Sequence, residues 1–433
     1  VLKALDKMRK QDHYRKEKGF GLIYGTEDKK HENFTTKAYN KYISSNALDP
    51  TAFPSLRKME VEVVSMTLSM LHAPKTACGV MTSGGTESIL CAVKAYRDRA
   101  RSLWPHIKQP EMVLAKSAHV AFEKGAHYFG VKCVWVSLDE KTQNPNLEEL
   151  KSKITKNCVL IVASAVQYPA GTMDPITQIS DIAMQNGLPL HVDGCIGGFM
   201  LPWVEKLGYE VPLWDFRVEG VTSISADCHK YGYAPKGASV IAWRNPDDRL
   251  HQFHAFAGWP GGYYASPSLL GTRAGGAIAA AWASLNAMGE NGYLDQAKKA
   301  MQVSEDFKAA INAVPELQIV GSPCMTIVCF KSIKPKSVNA FALGDAMQKK
   351  GWKMSRQQNP DSLHVTLMPV HYPARKKLVS DLKEAVEIVK KQPSLNREGT
   401  AAMYGMLAQI PSNTKLADFL KILFSRMFMK NGN

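Results

Sequence analysis

Lys230 stands in SADCHKYGYAPKG (225–237), a stretch that reads as a strand end, an exposed loop and the approach to a second strand, ASVIAW (238–243). A lysine held between two apolar runs is partly desolvated. Desolvation favours the neutral amine, which is a nucleophile for a carbonyl. A surface lysine beside a histidine has the same local sequence, so the reading depends on what else the chain supplies. TSGGTESI (82–89) follows a strand and opens a helix. Its glycines let backbone N–H groups approach an anion, and the helix N-terminus favours negative charge, which makes Gly85 and Thr86 a phosphate cradle. The plain alternative is a tight turn capped by Thr86. The stretch matches neither the dinucleotide fingerprint nor the Walker A loop.

Three further residues sit at strand ends. Asp193 closes LPLHVDG (188–194), where a carboxylate faces the ligand crevice of a parallel sheet. His119 follows the strand EMVLAK (111–116) and begins a helix, where an imidazole can stack on a flat ligand. Tyr168 lies in SAVQYPAGTMDP (164–175), beyond another strand. Each alone has an ordinary explanation: a capping aspartate, a helix-terminal histidine, a loop tyrosine. Together, and in the order cradle, ring-stacking His, ring-nitrogen Asp and Schiff-base Lys, they are the parts of a pyridoxal 5'-phosphate site.

The elements that must position these residues alternate. From residue 78, short apolar strands take turns with amphipathic helices, the pattern of a mostly parallel central sheet flanked by helices. The expected organisation is an N-terminal arm (1–53), a large cofactor-binding domain (54–295) and a smaller C-terminal α+β domain (296–433). Expected helices include 54–72, 86–100, 118–129, 293–313 and a basic amphipathic one at 414–428. The last suits either docking onto the body of the protein, the simpler reading, or a membrane surface.

With 433 residues, 45% apolar and 21% charged, the chain has the composition of a globular protein with a large core. No stretch is long and apolar enough to span a bilayer, so the chain reads as soluble over this part; an anchor or targeting segment upstream of Val1 remains open. The eight cysteines are scattered, without metal or redox spacing, and read as thiols in a reducing compartment. A net charge of +15 points to anionic partners. The basic residues form no arginine-rich tract, which argues against nucleic acid.

Four stretches carry a family resemblance: HVDGCIGGF (191–199), DFRVEGVTSISADCHKYGYAPKG (215–237), GTESILCAVKAYRD (85–98), and YASP with GTRAGG (264–276). AAMYGM (401–406) fits as well. The chain resembles the sphingosine-1-phosphate lyases, within the group II decarboxylase branch of fold-type I pyridoxal-phosphate enzymes, over about residues 20 to 410. The resemblance implies a homodimer with the active site at the interface. It also implies retro-aldol cleavage of a phosphorylated long-chain base, a reaction of sphingolipid metabolism. By resemblance, Lys230 is the Schiff-base lysine, Asp193 the pyridinium partner and His119 the stacking histidine. Gly85, Thr86 and His229 are cofactor-phosphate positions, and Thr272 reaches that phosphate from the neighbouring subunit. Lys236, Tyr24 and Asn46 line the substrate side. One departure stands out: spacing from Asn46 in SNALDP (45–50) puts Asp49 where the family has a phosphate-binding histidine. The general base is open among Tyr24, Tyr168, Lys236 and the substrate phosphate. Competing readings are an amino-acid decarboxylase and a non-catalytic binder of sphingoid phosphates or membranes.

Overall fold

The computed structural model describes residues 1–10, 12, 14, 16–407 and 413–429. Seven strands form the main sheet: β1 (Cys78–Thr82), β2 (Glu111–Ala115), β3 (Lys132–Val136), β4 (Cys158–Ser164), β5 (Leu190–Asp193), β6 (Val221–Ala226) and β7 (Ser239–Trp243). Their order across the sheet is β1-β7-β6-β5-β4-β2-β3. β3, β2, β4, β5 and β6 are mutually parallel. β7 is antiparallel to both β6 and β1, so it alone runs the other way. The carboxyl ends of β1, β2, β4, β5 and β6 therefore share one edge. That edge collects the turns at 83–85, 116–120, 165–168, 194–196 and 227–230, which is where a doubly covered α/β sheet holds its ligands.

The sheet is buried on both faces, and β2, β4 and β7 read as continuous apolar runs. One face is covered by the helices Gly85–Leu103 and Ala121–Phe129. The other packs against Ile176–Gln185, Pro54–Met70 and the first half of a long helix, Gly275–Asn312. Gly289, at φ 55°, breaks that helix in two. Small residues before the break lie against the main sheet, and Val303, Phe307 and Ile311 after it enter a second core. That core belongs to an antiparallel sheet, in the order β10-β11-β13-β12, made of β10 (Leu317–Ile319), β11 (Ile327–Ser332), β12 (Ser355–Gln357) and β13 (Ser362–Thr366). The remaining two strands, β8 (His254–Trp259) and β9 (Gly262–Ser266), form a separate hairpin.

Two expectations change. The hairpin was unforeseen: its short aromatic strands flank a Pro-Gly-Gly turn at 260–262 and bury almost nothing in this chain. The terminal helix, Asn413–Met427, does not dock onto the body: Phe419, Ile422, Phe424 and Met427 are all exposed. None of the eight cysteines is paired. Among the described residues, no helix is long and apolar enough to cross a membrane.

Candidate active site

The shared strand edge opens into a cavity of about 410 Å³. It brings together Gly85 and Thr86 from the turn after β1, His119 after β2, Tyr168 after β4, Asp193 at the end of β5, and His229 with Lys230 after β6. Gly85 and Lys230, 145 positions apart, meet because parallel strands point their carboxyl ends the same way.

One end of the cavity is built for an anion. The amides of Gly85 and Thr86, the first of a 19-residue helix, have no protein acceptor among the described residues. The turn before them is held by Glu87, whose carboxylate accepts from the Ser83 N–H at 2.6 Å and the Leu269 N–H at 3.1 Å. His229 completes this end. Its Nδ1 is buried without a partner among the described residues, and burial holds the ring below the usual histidine range, against the pull of Asp227. Gly85 cannot carry a side chain, because a Cβ would lie 2.7 Å from Asp227 Oδ2 and 2.7 Å from Cys195 Sγ. Gly85→Ala should therefore weaken binding of a phosphorylated ligand by about tenfold or more, measured by absorbance titration of the apoprotein.

Lys230 lines the same cavity, and its state differs from expectation. Burial, the largest single influence, would lower its pKa, but the carboxylate of Asp227, 3.0 Å from Nζ, together with Tyr24, Cys195 and Asp193, outweighs it and raises the lysine above its usual range. The free side chain is thus an ammonium, not the neutral amine that desolvation alone would produce. Asp227 is 1% exposed; burial raises its pKa, but the charges of Lys230 and His229 outweigh this and hold it below the ordinary carboxylate range. Its Oδ1 has no hydrogen-bond partner among the described residues. Asp193 accepts the Cys195 N–H at 3.0 Å and the Ser225 hydroxyl at 3.3 Å, both through Oδ1. Oδ2 has no protein partner among the described residues. His119 lies exposed at the cavity mouth, two residues before its helix begins, with Nδ1 accepting the Ala121 N–H at 3.1 Å. Tyr168 packs its ring on His364, with centroids 4.3 Å apart.

Residues 33–333 match the family model described as the pyridoxal-dependent decarboxylase conserved domain. Mouse sphingosine-1-phosphate lyase 1 is 42% identical over 94% of this chain and 71% of its own length. The structure of the Burkholderia pseudomallei sphingosine-1-phosphate lyase superposes with a TM-score of 0.86 at 38% identity, over 95% of this chain and 94% of that one. The chain belongs to the sphingosine-1-phosphate lyase family. The fold is that of fold-type I pyridoxal-phosphate enzymes, and the cofactor is pyridoxal phosphate. Lactobacillus brevis glutamate decarboxylase, with a TM-score of 0.77 at 19% identity over 92% of this chain and 93% of its own, shares the fold.

The residues present fit that cofactor. Orphaned helix amides and a buried imidazole nitrogen unpartnered among the described residues suit its phosphate, an unpaired carboxylate oxygen suits a protonated ring nitrogen, and the Lys230 side chain lines the same cavity. The remaining lyase-like positions, Lys236, Asn46 and Thr272, line a second cavity of about 540 Å³. Ser83 and Glu87 form a wall common to both cavities. Asn46 Oδ1 accepts the amides of Leu48 and Arg273, at 2.9 and 3.1 Å, and its Nδ2 lies 3.4 Å from the Thr272 hydroxyl. Lys236 Nζ sits 5.4 Å from the Tyr24 ring centre. Burial, and then the charge of Lys230, push Lys236 down to about 8, whereas burial pushes the Tyr24 phenol up to about 12. Asp49 lines neither cavity. Its Oδ1 caps the next turn, taking the Thr51 and Ala52 amides and the Thr51 hydroxyl at 2.8, 3.1 and 2.6 Å. The carboxylate that would repel a phosphate is thereby committed to its own backbone.

Sequence reasoning missed Asp227, although it stands three residues before Lys230 at the end of an apolar strand. It also missed Asp174, whose buried carboxyl is pushed up to about 7 by burial and then by the charge of Asp193.

Proposed function

We propose that the protein is a pyridoxal-phosphate-dependent aldehyde lyase. It would cleave sphingosine 1-phosphate, or a related phosphorylated long-chain base, into a long-chain aldehyde and phosphoethanolamine. The observation that carries this reading is the meeting of Lys230, Asp193, His119 and the Gly85–Thr86 amides in one cavity of a chain of this family. When bound, pyridoxal phosphate supplies an electron sink for the charge left as the carbon–carbon bond breaks. In this reading Lys230 is its attachment point, and Asp227 receives the ammonium whenever the lysine is free. Asp193 keeps the ring-nitrogen proton in place, and His119 covers a ring face. The helix amides and His229 hold the cofactor phosphate.

On the substrate side, Lys236 carries a proton that is exchangeable near neutrality. Tyr24, with its phenol raised to about 12, acts as a donor rather than a base. If the Lys236 ammonium binds the substrate phosphate, KM for the phosphorylated substrate should climb at alkaline pH as that ammonium loses its proton, earlier than for an ordinary lysine, and Lys236→Met should flatten that rise. Steady-state kinetics between pH 6.5 and 9 read this directly. The reaction itself is tested by mass spectrometry for hexadecenal and phosphoethanolamine after incubation with sphingosine 1-phosphate. Carbon dioxide release from glutamate or an aromatic amino acid, without those products, would indicate a decarboxylase instead.

The assembly inferred is a homodimer in which Thr272 and Asn46 complete the neighbour's site. Support comes from their lining the adjoining cavity rather than that of Lys230, and from the bare hairpin, where Phe256, Trp259 and Tyr263 are 55, 56 and 93% exposed. Mixing inactive Lys230→Ala with inactive Thr272→Glu chains should restore about a quarter of the wild-type rate, because each hybrid dimer keeps one intact site. The apolar and basic exposed flank of helix Asn413–Met427 suits contact with a lipid surface, where such a substrate resides.

A further inference from the structure

Behind Asp193 runs a buried chain of hydrogen bonds. His191, on the same strand, is fully buried. Its Nδ1 lies 2.8 Å from the Ser223 hydroxyl and its Nε2 lies 3.3 Å from the Ser225 hydroxyl. Ser225 in turn donates to Asp193 Oδ1 at 3.3 Å and accepts from the Cys195 thiol at 3.3 Å. At the far end, the Tyr96 hydroxyl lies 2.8 Å from Ser223 and 2.6 Å from Thr222. Parallel pairing sets this up: β5 and β6 place His191 opposite Ser223 and Asp193 opposite Ser225.

The donors assign themselves. Ser225 has one hydroxyl proton, and the Asp193 carboxylate is the strongest acceptor within its reach. With that proton directed to Asp193, Ser225 Oγ must accept from His191. Nε2 therefore carries the imidazole proton, and Nδ1 accepts from Ser223. Burial holds this ring at about 4, so it is neutral under physiological conditions. Phe122 packs against it, with centroids 5.8 Å apart.

We propose that His191 and Ser225 are positioning residues for the cofactor. They fix Asp193 through Oδ1, so that Oδ2 is the oxygen presented to the protonated ring nitrogen. The proposal rests on the reading of Asp193 as the ring-nitrogen partner. A carboxylate that kept only the Cys195 amide would rotate more freely and would hold the ring proton less firmly.

The test is titration of the apoprotein with pyridoxal phosphate, together with the pH dependence of the bound cofactor's absorbance, in Ser225→Ala, His191→Leu and Asp193→Ala. Ser225→Ala and His191→Leu should each weaken cofactor binding roughly tenfold and move the midpoint of the absorbance titration. Ser225→Thr and His191→Gln, which keep a donor at the same place, should stay within about threefold of wild type. Asp193→Ala should show the largest loss. If Ser225→Ala and His191→Leu lose only thermal stability, with affinity and midpoint at wild-type values while Asp193→Ala loses both, the positioning role is overturned and the reading of Asp193 stands. If Asp193→Ala itself binds and titrates as wild type does, the reading of Asp193 falls, and the proposal with it.

Discussion

Lys230→Ala is expected to reduce turnover by at least about 10⁴-fold, equivalent to ~5 kcal/mol of barrier, because it removes the one lysine that, among the described residues, lines the cavity of Asp193 and His119. It should also destabilise the protein, a consequence of the structure rather than of the chemistry. Asp227 is buried and ion-paired to Lys230 at 3.0 Å, and deleting one partner of a buried pair costs about 3–5 kcal/mol by stranding the other charge. His229, 3.7 Å from the same carboxylate, is held below the usual histidine range, so its charge helps Asp227 only at acid pH and compensates little near neutrality. Denaturant unfolding of the cofactor-free variant should show this loss, and adding Asp227→Asn to Lys230→Ala should recover most of the stability but none of the activity. The sign with pH follows from both partners. Asp227 is held below 3.8, so its contribution is complete above that pH and is lost as the pH falls further. Lys230 is held above 10.5, so its contribution is complete below that pH and is lost as the pH rises through the folded value. The apoprotein should keep this stabilisation across the whole neutral range.

Asp193→Ala should lower kcat by roughly 10²–10³-fold, the scale set by loss of one preorganised charge aimed at the reacting system. The substrate's KM should change little, since no part of the second cavity is touched. Cofactor retention on gel filtration should fall as well. A variant that lost rate only through a higher KM would place Asp193 on the substrate side instead. Asp193→Glu, which keeps the charge but lengthens the arm, should recover only part of the rate, because β5 and the Cys195 amide set where the oxygens lie.

The features legible in the sequence were those with a local cause. Alternating apolar strands and amphipathic helices specify a covered parallel sheet, and parallel strands deliver their carboxyl-end turns to one edge. Gly85, His119, Asp193 and Lys230 could therefore be placed together without a distance. The ionisation of Lys230 was not legible, because it depends on whether burial or a neighbouring carboxylate dominates. Here Asp227, one turn earlier, reverses the expected direction. Asp49 shows the same limit: its type suggests repulsion of a phosphate, but its Asx-type bonds to residues 51 and 52 decide where the charge goes. The exposed hairpin and the outward terminal helix could not be read from periodicity, since an apolar face in sequence does not say which surface covers it. The His191–Ser225 chain was hidden for a different reason. Serines and a histidine within strands look like ordinary buried polar residues until the register of β5 against β6 brings them into line.

The most direct measurement is borohydride reduction of the protein loaded with pyridoxal phosphate, followed by proteolysis and mass mapping of the reduced adduct. The expected result is a single modified peptide carrying the cofactor on Lys230, with Lys236 unmodified. Modification at Lys236 or at a surface lysine, with Lys230 free, would contradict the assignment of this cavity as the cofactor site.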